Sequence, residues 1–237
     1  MKNRRGLMLE IRWKLKHVVL ILILTLVLVN GMNLLLGALP LPGLKSFGAK
    51  VIFLTFFQDI LLLALVLWVV EKNRGHLSDL GLTVKNWGKA FKWGVFGGFL
   101  ILITVVVVGA FSFKILKVNP PPQTFEKLLT LAKTPTEKNM LVFLGVFLGP
   151  FAEELFFRGF SYPVLKKYMG VVGGIAVSSL LFGAMHFDPY RFLPLSIGGA
   201  ILAYLYEKTG TLLSPFVAHA TWNGIMTWFV MGKMFFL

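Results

Sequence analysis

Long apolar runs separated by short polar breaks dominate the chain. Runs of this length are enough for a helix to cross a hydrocarbon core about 30 Å thick. The seven predicted spans are residues 18–39, 51–70, 94–113, 139–161, 171–187, 192–206 and 212–232. The breaks contain residues that end helices, among them Pro40-Leu41-Pro42-Gly43, Gly170 and Asp188-Pro189. The pattern predicts an all-α fold, a polytopic helical membrane bundle of about seven or eight transmembrane helices.

The connection between the third and fourth spans has two interpretations. Residues 114–138 are amphipathic, so they lie on the membrane surface or form part of an eighth helix. We divide the chain into N-terminal membrane helices and basic loops, residues 1–137, and a C-terminal membrane core, residues 138–237. Residues 1–17 contain six Lys and Arg, which favours a cytoplasmic N-terminus. The first apolar run is too long for a signal-peptide core, so it is predicted to stay as a helix.

The composition indicates a membrane location and the classes of molecule that the protein contacts. The chain has 237 residues, 57% of them hydrophobic and 14% charged, whereas soluble domains have about 45–50% apolar and about 25% charged residues. The net charge of +14 comes from cations beside apolar segments, where they meet lipid headgroups. We therefore predict a multi-pass protein of the cell membrane, with membrane lipids and no nucleic acid among its partners. The absence of cysteine excludes disulfides and thiolate metal sites.

Three charges lie in the middle of the fourth apolar run, at Glu153, Glu154 and Arg158. Placing a charged side chain at the centre of a bilayer costs roughly several kcal/mol of free energy. Such a residue therefore indicates a functional site. Glu154 and Arg158 are one helical turn apart, so they are predicted to form an ion pair. Glu153 points about 100° away from Glu154 and is left free for chemistry.

The later spans supply polar partners for Glu153. If the fourth and fifth spans form a hairpin at Gly170, Glu153 and His186 lie at the same depth, about 25 Å from the turn. His219 and Asn223 share one helix face. A buried carboxylate beside an imidazole can deprotonate a water, and His219 and the Asn223 amide are donors of the type that stabilise an oxyanion.

Other polar and small residues in the spans are assigned outside the site. Asp59 is an unplaced intramembrane carboxyl that lines a cavity, pairs with a cation or helps to bind a substrate. Phe182 is interpreted as packing. The pairs Gly173-Gly174 and Gly198-Gly199 are interpreted as points of close helix contact.

Three motifs resemble one known family. Glu153-Glu154-x-x-x-Arg158, Phe182-x-x-x-His186 and His219-x-x-x-Asn223 are similar to the motifs of the CAAX prenyl protease type II and bacteriocin-processing family, intramembrane proteases of the Abi group. The resemblance covers roughly residues 140–225. It implies an intramembrane endopeptidase that removes the C-terminal tripeptide of a prenylated CAAX-type or related membrane-associated peptide.

The resemblance also implies roles for the motif residues. Glu153 would act with His186 on the attacking water, and His219 with Asn223 would stabilise the oxyanion. Glu154 and Arg158 would support the site. Catalysis without a cofactor is favoured, because the chain lacks a His-Glu-x-x-His helix and an Asn amide is an uncommon zinc ligand. A divalent metal such as zinc, held by Glu153, His186 and His219, stays open as the alternative.

Two other functions fit buried ionisable groups in a membrane protein. A proton-coupled transporter also needs intramembrane Glu, His and Arg, but no inverted repeat or pair of broken helices is apparent. A non-catalytic membrane factor, such as a bacteriocin-immunity protein that binds a partner, would use the same residues for recognition alone.

Overall fold

The computed structural model of the protein describes residues 11–39, 44, 46–83 and 86–235. The predicted break at Pro40–Gly43 and the first ten residues, with three of the N-terminal cations, lie outside the described residues. Within the described part all long elements are helices and no strand occurs, which confirms the predicted all-α class. The helices are α1 Leu15–Ala38, α2 Phe47–Lys72, α3 Trp87–Leu116, α4 Thr124–Leu131, α5 Pro135–Phe143, α6 Gly149–Glu154, α7 Tyr162–Ala184, α8 Phe192–Thr209 and α9 Leu213–Phe235.

Four segments of the described chain are long and apolar enough to cross a membrane. They are α1, α2, α3 and the helical stretch Pro135–Ala184, which contains the turn at Gly170. In the first three, 11–22% of the most apolar window is buried, against 50% in the fourth. The first three therefore present most of their side chains to lipid, while Pro135–Ala184 runs through the interior of the bundle. The number of spans, seven or eight, stays a prediction.

Local capping sets where two of these segments begin. The Ser46 hydroxyl accepts a hydrogen bond of 3.0 Å from the Ala49 N–H at the start of α2. Thr134 and Glu137 form a capping box at the start of α5, with Pro135 at its first turn. The amphipathic stretch 114–138 thus contains the end of α3, the short helix α4 and the start of α5.

Two π-helical segments interrupt the stretch that contains the acidic pair. The first π segment, Leu144–Leu148, precedes α6 and the second π segment, Leu155–Ser161, follows it. The Gly149 N–H donates to the Leu144 carbonyl five residues earlier, which is the π pattern. A side chain at Gly149 would also meet that carbonyl, because a Cβ there would lie 2.8 Å from the Leu144 oxygen.

The chain reverses at Gly170, as the sequence predicts. Gly170 has φ 69° and ψ −178°, a conformation that is essentially restricted to glycine. A Cβ at Gly174 would lie 2.9 Å from the Lys166 Cα, so residues four before and four after the turn pack side by side. We call residues 135–169 the descending arm and residues 171–184 the ascending arm.

The remaining helices close the bundle around the two arms. Helix α3 packs against α8 and α9, and α2 packs against α6. The contact between α3 and α9 is close, since a Cβ at Gly94 would lie 2.6 Å from the Val217 Cβ. The predicted small-residue contacts are confirmed at Gly174 and also at Gly199, where a Cβ would lie 3.1 Å from the Phe182 ring.

Candidate active site

A fully buried ion pair forms the base of the site. The Arg158 Nη1 donates to the Glu154 Oε1 at 2.9 Å, and both side chains are 0% exposed. The Arg158 Nη2 donates to the Gly199 carbonyl of α8 at 2.9 Å. This confirms the predicted pairing of Glu154 with Arg158, and it ties the second π segment to α8.

Glu154 also holds His219, which the sequence did not predict. The His219 Nδ1 lies 2.8 Å from the same Oε1 that accepts from Arg158. An ionised carboxylate only accepts hydrogen bonds, so Nδ1 is the donor and the imidazole presents its Nε2 to the other side. The ring is stacked on Trp222 with centroids 5.6 Å apart. His219 is therefore fixed in orientation by α6 and by its own helix.

Glu153 is the acidic residue that is open to the surroundings. Its side chain is 30% exposed, whereas that of Glu154 is fully buried. The Glu153 Oε2 lies 3.9 Å from the His219 Nε2 and has no hydrogen-bond partner among the described residues. The distance is too long for a direct hydrogen bond, and this oxygen is itself buried although the rest of the side chain is partly exposed.

The ring of Phe182 joins the two histidines. It makes edge contacts with His186 at 4.7 Å and with His219 at 5.7 Å between ring centroids. The Arg158 guanidinium lies 4.5 Å from the same ring. Phe182 does pack, as predicted, but it packs at the centre of the site, between the histidines and the buried ion pair.

His186 lies just beyond the ascending arm, in the turn that follows α7. The Ser178 hydroxyl donates to the Phe157 carbonyl at 3.3 Å, and the rings of Phe157 and Phe182 are 5.3 Å apart. These contacts show that the two arms are antiparallel, and the level of His186 relative to Glu153 stays a prediction. The His186 Nδ1 lies 2.8 Å from the Phe182 carbonyl, and its side chain is exposed.

Asn223 contacts the first π segment. Its Nδ2 donates to the Gly145 carbonyl at 2.8 Å. A π segment leaves carbonyls without the usual helical partner, so this amide satisfies one of them. The second N–H of the amide stays available, and Asn223 lies one turn beyond His219 on α9.

The second π segment has a partner from the N-terminus. The Trp13 Nε1 donates to the Phe160 carbonyl at 2.8 Å, and the two rings are stacked with centroids 5.1 Å apart. Trp13 is 2% exposed. Side chains from distant parts of the chain thus hold both π segments, and α6 with its two glutamates is fixed between them.

The alternative metal set is not assembled as a ligand group. Within the described part of the chain, no three or more His, Asp or Glu side chains are grouped to hold a metal ion. The His219 Nδ1 is already engaged by Glu154. The choice between catalysis without a cofactor and a divalent metal held by Glu153, His186 and His219 stays a prediction.

The part of the chain that contains the three motifs is similar to a known family. Residues 135–225 match the sequence model described as type II CAAX prenyl endopeptidase Rce1-like. The predicted resemblance is confirmed. This Rce1-like region contains both arms, α8 and the part of α9 with His219 and Asn223.

Two curated relatives are similar to the chain. The protein named as membrane peptidase YdiL from Bacillus subtilis (strain 168) is 21% identical, over 72% of this chain and 67% of its own length. CAAX prenyl protease 2 from Homo sapiens is 30% identical, over 32% of this chain and 29% of its own length. No solved structure matches the chain. With four segments able to cross a membrane, the chain is a multi-pass integral membrane protein, and the comparisons support a membrane peptidase.

The sequence did not predict the contribution of several residues to the site. Trp13 and Gly199 act through one hydrogen bond each, from elements far away in the chain. Trp222 could have been predicted to contact His219, because residues three apart are neighbours on a helix surface. Phe182 is one of 23 phenylalanines, and only its place in a motif distinguished it.

Proposed function

We propose that the protein is an intramembrane endopeptidase in which Glu153 activates the water that attacks the peptide bond. The observation that supports this most is the contrast within the acidic pair. Glu154 is fully buried and its Oε1 is bound to Arg158 and His219, whereas Glu153 is partly exposed and forms no hydrogen bond with either of them. A free carboxylate in an apolar, partly closed site is well suited to take a proton from water.

The proposed reaction uses Glu153 together with the two histidines. Glu153 and His186 hold the attacking water, and Glu153 takes one of its protons as the water oxygen bonds to the carbonyl carbon. The Nε2 of a doubly protonated His219 donates to the oxyanion that forms, with the free N–H of Asn223 as a second donor. The C–N bond then breaks as the proton moves from Glu153 to the leaving amine.

Glu154 and Arg158 support this step without taking part in it. Because Glu154 accepts from the His219 Nδ1, it stabilises the positive charge on the ring and keeps Nε2 directed at the reacting atoms. Arg158 balances the charge of Glu154 in the absence of water. The arrangement resembles the carboxylate that orients the histidine in a serine-protease triad.

We propose a prenylated CAAX-type peptide, or a related membrane-associated peptide, as the substrate. The support is the match of residues 135–225 to an Rce1-like family and the name of the human relative. The exposed position of His186, at the end of α7 beside the polar turn at Asp188, gives a polar peptide end access to the site from the membrane surface.

The test is cleavage by purified protein of a quenched-fluorescence peptide that ends in a farnesylated CAAX sequence. The same peptide without the farnesyl group and a metal chelator provide two further arms. Wild type and the control Glu71→Gln, at the exposed end of α2, are expected to cleave the farnesylated peptide, and Glu153→Gln is not. Equal cleavage by Glu153→Gln would refute the assignment. Equal cleavage without farnesyl would refute only the prenyl substrate.

A further inference from the structure

A groove at the start of α3 combines lysines with aromatic rings. It has a volume of about 340 Å³ and is lined by Lys89, Lys92, Trp93 and Phe96. These residues are three or four positions apart, so they share one face of the helix. The two lysines and Phe96 are exposed, and Trp93 is half-buried. The groove has no part in the proposed reaction, and the residues that line it lie outside the Rce1-like region, residues 135–225.

Lys208 of α8 adds a third positive charge beside this groove. Helix α8 packs against α3, and the Lys208 Nζ lies 3.7 Å from the centroid of the Trp93 ring. The same ammonium group is 5.5 Å from the centroid of the Tyr204 ring. An ammonium group is attracted to the face of an aromatic ring, so the two rings restrict where Lys208 can lie. The groove is therefore cationic at the end where α3 begins.

No carboxylate of the described chain is paired with these three lysines. None of the three forms an ion pair among the described residues. Glu207, the neighbour of Lys208 in the chain, is bound to Lys166 at 2.7 Å. Asp79, in the segment before α3, accepts a hydrogen bond from the His76 N–H. Two lysines one turn apart on a helix repel each other, so an anion is the complement that this end of the groove lacks.

The groove lies where a membrane surface meets the hydrocarbon core. No charged residue occurs between Lys92 and Lys114, and the helix rises about 33 Å over this stretch, close to the core thickness of about 30 Å. Lys92 therefore lies at one membrane surface, and Phe96 lies one turn deeper, among the lipid chains. Trp93 fits this level, since tryptophan is enriched at the interface. A ligand that fills the groove needs an anionic group at one end and an apolar group at the other.

We propose that this groove is a binding site for an anionic phospholipid, with the phosphate held by Lys89, Lys92 and Lys208 and an acyl chain along Trp93 and Phe96. Basic sites between membrane helices bind headgroups of this kind. With α1 and α2 as successive spans, α3 begins on the side of the N-terminus, which is predicted to be cytoplasmic, and the cytoplasmic leaflet carries anionic lipids. A soluble anion would contact the lysines but would not reach the depth of Phe96. The inference does not depend on peptidase activity.

The test is mass spectrometry of the intact protein released from detergent micelles, after titration with phosphatidylglycerol or with the zwitterionic phosphatidylcholine. Wild type is expected to bind one phosphatidylglycerol more tightly than it binds phosphatidylcholine. Equal affinity for the two lipids would overturn the proposal without any substitution.

Two triple variants separate this site from a general effect of positive charge. We expect the affinity for phosphatidylglycerol to fall on the order of 100-fold in Lys89→Gln/Lys92→Gln/Lys208→Gln. The matched control removes the same charge from exposed lysines at and beyond the other end of α3 and is expected to bind like wild type: Lys114→Gln/Lys117→Gln/Lys127→Gln. Equal affinities in the two triple variants would overturn the proposal. All six lysines are exposed, so the thermal midpoint without added lipid is expected to stay at the wild-type value in both variants.

Soluble anions test the other possible occupants of the groove. Inorganic phosphate and a hexaglutamate peptide are each added at the concentration of the bound phosphatidylglycerol. Neither is expected to displace the lipid, because neither contacts the aromatic part of the groove. Displacement by either one would overturn the assignment to a lipid and would make the groove a site for that soluble anion.

Discussion

The buried pair of Glu154 and Arg158 predicts that single and double substitutions have opposite effects on stability. At 2.9 Å and an effective dielectric constant of about 20, the attraction between the two charges is about 6 kcal/mol. Removing the two ions from water costs roughly several kcal/mol per ion, which offsets most of this attraction. Arg158→Met leaves a buried carboxylate with only His219 as a partner, so it is expected to cost about 3–5 kcal/mol.

The assay is thermal unfolding in detergent, followed by intrinsic tryptophan fluorescence. A loss of that size lowers the midpoint by roughly 6–20 °C for a chain of this length. The double variant Glu154→Leu/Arg158→Met removes both charges and is expected to recover most of the midpoint. It is also expected to lose peptidase activity, because His219 no longer has the carboxylate that orients it.

Two results would refute this reasoning. One is a midpoint for Arg158→Met within about 2 °C of wild type, less than a 1 kcal/mol loss would produce. The other is a double variant that is no more stable than the single variant, which would mean that the two charges do not depend on each other.

Substitutions at three further positions test the contacts that hold the two π segments and the turn of the hairpin. Trp13→Phe keeps the ring stack on Phe160 but loses the buried hydrogen bond, so we expect a loss of about 1–3 kcal/mol in unfolding experiments. Gly170→Ala should cost about 1–3 kcal/mol because of its backbone conformation, and an unchanged unfolding midpoint would contradict the hairpin. Asn223→Leu leaves the Gly145 carbonyl unpaired, so we expect both a lower unfolding midpoint and a lower kcat. Asn223→Asp also lacks the N–H donor, so we expect the same two losses for it.

The parts of the site that depend on short sequence separations could be predicted. The pairing of Glu154 with Arg158 follows from one helical turn, and the structure confirms it. The hairpin follows from the turn at Gly170, and the contacts between Phe157 and the ascending arm confirm that the two arms are antiparallel. In both cases the geometry of one helix, or of one tight turn, determines the answer.

The parts that depend on packing between distant helices could not be predicted. The two π segments require side-chain donors from α9 and from the N-terminus, and no local pattern in residues 144–161 indicates them. Asp59 is buried against α6, where a Cβ at Gly149 would lie 3.6 Å from its Oδ2, and this contact depends on how α2 is rotated in the bundle. His219 was predicted next to the acidic pair, but its bond to Glu154 depends on how closely α9 approaches α6.

The measurement that tests the central claim most directly is a single turnover of the purified protein on a cleavable CAAX-type peptide in water enriched in oxygen-18, analysed by mass spectrometry. If Glu153 activates a water, the new carboxyl group carries one labelled oxygen in the first turnover, and Glu153→Gln yields no product. An unlabelled first product would mean that a side chain, and not water, attacks the peptide bond. A labelled product from Glu153→Gln at the wild-type rate would contradict the role of Glu153.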